Sequence, residues 1–376
     1  MSEIKVNSIK GVGATDAAIT VNNSDGTCTA NITNKPNRNL IINGAMQIAQ
    51  RGTSFTATGN EFTVDRFSHH TGSGFNFDTT TTQSSDVPNG FSKAIKITPD
   101  SVVTPSATQN GLFTHSMEGQ DFQHLAYGTS SPQKITLSFY AKSASQNNNH
   151  QYTIQIRKID TAGNTKHVLQ PFTVTSSYQR FTFTFDGDTA SDIVDGTGLG
   201  VELDFILVAG SSDLESATST WATSSGFRGV TGQSNFMDNT SNEFYLTGVQ
   251  LEVSDHATDF EHRSLGQELA LCQRYFERIK VDGSEVFIFG VNQFGSPGRI
   301  PLYFRVTKRA IPTVSIDNGT FDYYAVQGSG SNGNATFTVN SYSTDTMGIM
   351  SSGAAANTVW WTTKGADGYV DANSEL

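Results

Sequence analysis

Between residues 135 and 207 apolar side chains recur at every second position. Ile135, Leu137 and Phe139 alternate with Thr136, Ser138 and Tyr140; Tyr152, Ile154 and Ile156 alternate with Thr153 and Gln155. Phe181, Phe183 and Phe185 alternate with Thr182 and Thr184, and Val201, Leu203, Phe205 and Leu207 keep the same beat. This period places one face of each strand in a core and the other in water. Turn-forming clusters punctuate the strands at Ser145 to Asn149, Thr161 to Asn164 and Asp186-Gly187. Residues 39–263 therefore predict an antiparallel β-sandwich of jelly-roll type, with about eight to ten strands.

One segment breaks the rhythm. Ser264-Leu265-Gly266-Gln267 fits the S-x-x-Q capping box, and Leu265, Leu269, Cys272 and Phe276 follow at helical spacing. The pattern predicts a helix of about three to four turns over 264–276. Strand patterns then resume at 285–291, 300–306, 313–316, 320–326, 335–342 and 357–363. The expected organisation is an N-terminal segment (1–38), a jelly-roll domain (39–263), and a linking helix with a second β-sandwich domain (264–376). A lone amphipathic helix between two sandwiches must bury its stripe somewhere, which places Leu269, Cys272 and Phe276 at a shared interface.

Residues 1–38 carry short alternating stretches but no domain's worth of apolar matter. Burying Ile4, Val6, Ile9, Val12, Ile19, Val21 and Ile32 in full contributes roughly 10 to 20 kcal/mol. Ordering the backbone costs on the order of 40 kcal/mol or more. The segment needs partners, either copies of itself or another protein, and Ile4, Val6, Ile9, Ile19 and Val21 are its candidate contact residues.

Composition narrows the function. Lys plus Arg is 24 against 35 Asp plus Glu, a formal charge of −11. The basic footprint of a nucleic-acid binder is missing. Charged residues make up only 16%, while 25 Phe provide a phenylalanine-rich core. No signal peptide and no membrane-spanning stretch are expected. Cys28 and Cys272 stand too far apart for a zinc knuckle or redox pair, so two reduced thiols are expected.

Chemical motifs are sparse. Gly328 to Gly333 fits G-x-G-x-x-G but runs into Phe337-Thr338-Val339, a strand pattern where a dinucleotide site needs a helix, so it reads as a hairpin loop. Asp186, Asp188, Asp192 and Asp195 form an acidic loop that fails the EF-hand pattern and reads as a solvated turn, with calcium the alternative. His69 and His70 are adjacent on a strand and so face opposite sides. Glu202 with Asp204, on one face of one strand, and Glu243 with Glu252 are the nameable carboxylate pairs. No cofactor, metal or catalytic residue is expected. The aromatic residues are more telling, because Tyr and Trp join a flat apolar face to a polar tip. Trp221, Phe227 and Tyr245, with Tyr323, Tyr324, Trp360 and Trp361, are the candidate binding residues.

Several blocks resemble a family. Asn39-Leu40-Ile41-Ile42-Asn43-Gly44, Met46 to Thr53, Asp65-Arg66-Phe67, Leu246 to Glu252, and Phe260 to Ser264 leading into Glu268 to Tyr275 are similar to widespread bacteriophage tail fibre proteins. So are Phe304 to Thr313 and the closing Asp371 to Leu376, although the ending carries an extra residue or so. The resemblance implies a jelly roll similar to carbohydrate-binding modules, a helix and a C-terminal β domain. It further implies a virion protein made in a bacterial cytoplasm, a homotrimer attached to other tail proteins by its N-terminus, and recognition of a host-surface glycan, with neither nucleic acid nor membrane insertion involved. The alternatives are a structural or adaptor virion component without a ligand and, further off, a polysaccharide depolymerase.

Overall fold

The computed structural model describes residues 6–12, 18–22, 24, 28–30, 36–57, 59–224, 226–281, 286–292, 298–316, 321–325, 333–334, 336–341, 343–352, 357–363 and 368–376. At 29–30, 280–300, 317–342 and 349–368, only strand backbone is described. Ile4, Ile32 and the glycine-rich loop at 328–332 lie outside the described residues.

The chain is mainly β. Two antiparallel sheets, of six and seven strands, face each other between residues 54 and 253. The seven-stranded sheet runs, edge to edge, Thr218–Thr223, Thr165–Thr173, Gln151–Ile159, Leu199–Ala209, Asn110–Glu118, Phe67–Gly72 and Glu61–Phe62. The six-stranded sheet runs Gln179–Phe185, Ile135–Ser143, Phe244–Val253, Ala94–Pro99, Thr79–Ser84 and Ser54–Ala57. That is more than the eight to ten strands expected, because threonine-rich runs such as Thr79–Ser84 and the short edges Ser54–Ala57 and Glu61–Phe62 carry little apolar alternation. Their backbone groups are satisfied by pairing with longer neighbours.

The period-two positions do build the core. Leu137, Phe139, Tyr152, Ile154, Ile156, Leu203, Phe205 and Phe244 are buried in one cluster between the sheets. Phe139 meets Phe172 and Phe205 edge-on and stacks on Phe181. Gly248, at φ +62°, sits where the pairing of Ile135–Ser143 with Phe244–Val253 shifts register. A Cβ there would lie 2.6 Å from the Phe91 ring and 2.9 Å from Tyr140, so only glycine lets those rings lie on the outer face.

The helix is shorter than its sequence pattern. It spans Leu265–Gln273 with the full capping box: the Gln267 N–H donates to Ser264 Oγ at 3.3 Å and the Ser264 N–H to Gln267 Oε1 at 3.2 Å. Phe276 continues the helical spacing but begins the strand Phe276–Val281, which pairs with Gly368–Asn373. Sheet pairing has won over helix continuation. Among the described residues no helix is long and apolar enough to cross a membrane.

Beyond the helix stand a three-stranded, a four-stranded and a second three-stranded sheet. Their strands include Val286–Asn292, Gly298–Tyr303, Thr313–Ile316, Phe321–Ala325, Thr336–Ser341 and Asn357–Thr363, close to the predicted runs. Thr346–Ser352 and Gly368–Asn373 were not legible in the pattern. The base of this region is joined to the sandwich by buried ionic contacts. Arg274 donates to both oxygens of Glu118 at 2.7 and 2.8 Å, Tyr275 Oη donates to the same carboxylate at 2.6 Å, and Glu118 is fully buried. The N-terminal segment forms a three-stranded sheet of Ser8–Ile9, Ile19–Val21 and Cys28–Ala30.

Candidate functional site

Alternation along Leu199–Ala209 turns Val201, Leu203, Phe205 and Leu207 into the core and leaves Glu202 and Asp204 on the outer face. Register then decides their neighbours. Arg157 and Ser116 flank Glu202 on the adjoining strands, and Gln155 and Thr114 flank Asp204. Arg157 binds both carboxylates: its Nε donates to Asp204 Oδ2 at 3.0 Å, and Nη2 donates to Glu202 Oε2. Ser116 Oγ donates to Glu202 Oε1 at 3.1 Å, and Thr114 Oγ1 to Asp204 Oδ1 at 2.7 Å.

Phe227 lies against this cluster. The Arg157 guanidinium sits 3.9 Å from its ring centroid, and the His70 ring is 4.4 Å away, tilted by 48°. The segment carrying Phe227 crosses the sheet face and is pinned to it. Val230 N–H donates to Thr153 Oγ1 at 2.8 Å, that hydroxyl donates to Gln233 Oε1 at 2.6 Å, and Arg228 pairs with Asp213 and Glu215. A half-buried ring on the crossing segment thus lies over strand-borne Arg157 and Glu202, which keep a small accessible edge, while Asp204 beneath them is fully buried. Such a set can bind hydroxyl groups bidentately and cover an apolar ring face.

Burial, and then the Asp204 charge, push the Glu202 carboxyl up to about 7, against the pull of Arg157 and Ser116. A raised carboxyl pKa means the fold holds the proton, so its stabilising contribution is full below about pH 4.5 and is lost as pH rises through 7. Glu202→Gln is therefore expected to gain stability relative to the parent between pH 5 and pH 8, by on the order of 3 kcal/mol. Denaturant titrations of both chains at the two pH values check this. An unchanged difference would mean that Glu202 is ionised throughout.

The other sequence candidates lie elsewhere. Trp221 packs edge-on against Tyr127 (5.7 Å, 70°) and its indole N–H donates to the Asp186 carbonyl at 2.9 Å. Tyr245 belongs to the six-stranded sheet, beside Tyr178 and with Lys142 4.5 Å from its ring centroid. Trp221, Phe227 and Tyr245 thus occupy separate places. Tyr323 and Tyr324 pair by register with Trp361 and Trp360 on neighbouring strands, while their side chains lie outside the described residues. Val6 and Ile9 are 44% and 53% exposed, and Ile19 and Val21 half-buried. Leu269 is half-buried, whereas Cys272 and Phe276 are buried within the chain itself, and it is Leu265 and Leu271 that the helix exposes. His69 points into the core and His70 to the outer face. Glu243 bonds Tyr245, while Glu252 is buried against Thr258, so this second carboxylate pair does not converge. Arg157 and Ser116 could not be found from the sequence, since only cross-strand register brings them to Glu202, and the place of His70 against Phe227 depends on the crossing segment.

No cation site of three or more His, Cys, Asp or Glu groups exists among the described residues. In the acidic loop the Lys158 ammonium takes the place a cation would have. It donates to Ser191 O (2.8 Å), Ser191 Oγ (2.7 Å) and Asp192 O (2.7 Å), and lies 3.1 Å from Asp188 Oδ2.

The fold defines the class: a mainly β chain built on a jelly-roll-type sandwich. No protein-family model and no curated protein matches it. Among solved structures it is similar to the enzymatically active domain of tailspike protein 4 of bacteriophage CBA120, at 16% identity and TM-score 0.30, over 58% of this chain and 22% of that one. It is also similar to a family 11 carbohydrate-binding module of a Clostridium thermocellum cellulosomal cellulase, at 14% identity and TM-score 0.29, over 54% of this chain and 95% of that one. A xylan-binding domain from Paenibacillus barcinonensis matches at 9% identity and TM-score 0.28, over 54% of this chain and 94% of that one.

Proposed function

We propose that this chain is a bacteriophage tail fibre: a homotrimeric virion protein that docks by its N-terminal segment and recognises a host-surface glycan through its β domains. The observation that carries the glycan reading is the outer face of the seven-stranded sheet, where Phe227, His70, Arg157, Glu202 and Asp204 converge. A sugar ring presents an apolar face to Phe227 and hydroxyls to the accessible edges of Arg157 and Glu202, while the buried Asp204 holds Arg157 in place. The virion reading is supported by the order of sequence blocks from Asn39 to Leu376. The docking reading is supported by the exposed Val6 and Ile9 of a leader too small to bury them. Binding is favoured over hydrolysis because Glu202 and Asp204 are tied to one guanidinium rather than set on either side of a glycosidic bond.

A glycan array probed with the purified parent and with Phe227→Ala tests this. The parent is expected to bind a defined subset of host-type glycans, and the variant, folded by circular dichroism, to bind at least tenfold more weakly. A parent that binds nothing on an array carrying host polysaccharides would move the assignment to a structural virion component.

A further inference from the structure

Where the chain carries Phe227 across the seven-stranded sheet, it rests on one buried amide. Gln155, on the strand Gln151–Ile159, is fully buried and belongs to the outer face, since Ile154 and Ile156 on either side of it lie in the core. Its side-chain oxygen accepts from the Arg228 N–H at 3.2 Å, and its side-chain nitrogen donates to the Gly226 carbonyl at 3.2 Å. Those two backbone groups flank Phe227. Gly226 enters the turn at φ +143°, a backbone that a side chain would strain. With residues 226 and 228 both held by one amide, the Phe227 ring is set 3.9 Å from the Arg157 guanidinium.

The two backbone groups also dictate which way the amide faces. The Arg228 N–H can be met only by an oxygen; the Gly226 carbonyl, which also accepts from the Ser224 hydroxyl at 2.9 Å, only by a donor. The second hydrogen on Gln155 Nε2 therefore meets His167 Nδ1, 2.8 Å away. A ring nitrogen that accepts carries no proton, so His167 is neutral with its hydrogen on Nε2. His167 is fully buried on the adjoining strand Thr165–Thr173, and its Nε2 lies 3.4 Å from Glu215 Oε2.

The surrounding charges agree with a neutral ring. Burial is the largest effect and opposes a second proton, Glu215 favours it, and Arg228 and Arg157 oppose it; the balance holds His167 below the ordinary histidine range. The strand Thr218–Thr223 on the other side brings no ionisable group. A charged ring would set an Nδ1–H against the Gln155 NH2 group. The amide would then have to turn over, and the bonds to residues 226 and 228 would both be lost.

We propose that Gln155 is the residue that positions Phe227 for stacking on a sugar, and that it does so only while His167 offers a bare Nδ1. The stacking role rests on the glycan-binding reading; the positioning rests on the hydrogen bonds alone.

The test uses the full chain. Long-range proton–nitrogen NMR spectra of the parent at pH 7 are expected to show His167 neutral with its proton on Nε2, and a proton on Nδ1 overturns the proposal without any variant. Gln155→Met nearly keeps the side-chain volume and removes its bonds. In that variant, exchange of the Arg228 amide hydrogen is expected to quicken about tenfold, and glycan binding to weaken about tenfold, as for Phe227→Ala. Adding Gln155→Met to Phe227→Ala is expected to weaken binding no further, a pattern that a general loss of stability would not produce. Unchanged Arg228 exchange, parental glycan binding by Gln155→Met, or additive losses each overturn the proposal and leave the proposed function standing. A parent that binds no glycan sinks the proposed function instead, and the His167 tautomer and the Arg228 exchange rate then decide the positioning by themselves.

Discussion

Replacing Glu375 with alanine is expected to destabilise the chain by about 3 to 5 kcal/mol, although the residue is next to last in the sequence. Its carboxylate reaches across to the sandwich. Glu375 Oε2 accepts from Arg66 Nη1, and Oε1 lies 3.2 Å from Arg51 Nη2. Arg66 is 1% exposed, donates to the Ser116 carbonyl through Nη2, and stacks 3.4 Å from the Tyr275 ring centroid. Without Glu375 this buried guanidinium loses the one carboxylate it pairs with among the described residues, and a stranded buried charge costs far more than a surface pair is worth. Glu375→Gln keeps an acceptor and is expected to lose less. Denaturant unfolding of the three chains measures the effect, and an alanine variant within about 1 kcal/mol of the parent would show that the closing residues are not an anchor.

Lys158→Met is expected to cost about 3 kcal/mol at neutral pH, with side-chain volume nearly kept. The variant leaves the Ser191 and Asp192 carbonyls without their donor, while Lys166 still donates to Asp188 Oδ2 at 2.9 Å. Burial opposes ionisation of Asp188, but hydrogen bonds from Lys166, the Ala190 N–H, Lys158 and Ser191 outweigh it and hold the carboxyl below the usual range. A depressed carboxyl contributes stability above its unfolded pKa near 4, and that contribution is lost as pH falls further. Calcium added to the parent should leave its unfolding midpoint unchanged, since the ammonium already fills the position. A midpoint that climbs with millimolar calcium in the parent would return the acidic loop to the metal-binding reading.

The period-two runs determined the sandwich. Ile135 to Phe139, Tyr152 to Ile156 and Val201 to Leu207 face inward as written, because alternation is a local property of extended backbone. The capping box likewise fixed where the helix begins, through bonds that span three residues. Where the helix ends was not local: the Cys272 to Phe276 spacing fits a further turn, but Phe276–Val281 gains a ladder with Gly368–Asn373, far along the chain.

The site divides in the same way. That Glu202 and Asp204 share a face follows from their spacing alone. That Arg157 lies between them and Ser116 beside them depends on strand order and on a register shifted between Leu199 and Val201. Phe227 was recognisable as an aromatic candidate, yet its place over Arg157 required residues 226–234 to cross the sheet face. Residue types and strand faces are written in nearest-neighbour geometry. Which faces meet is set by pairings between distant segments, and only the tertiary structure decides those.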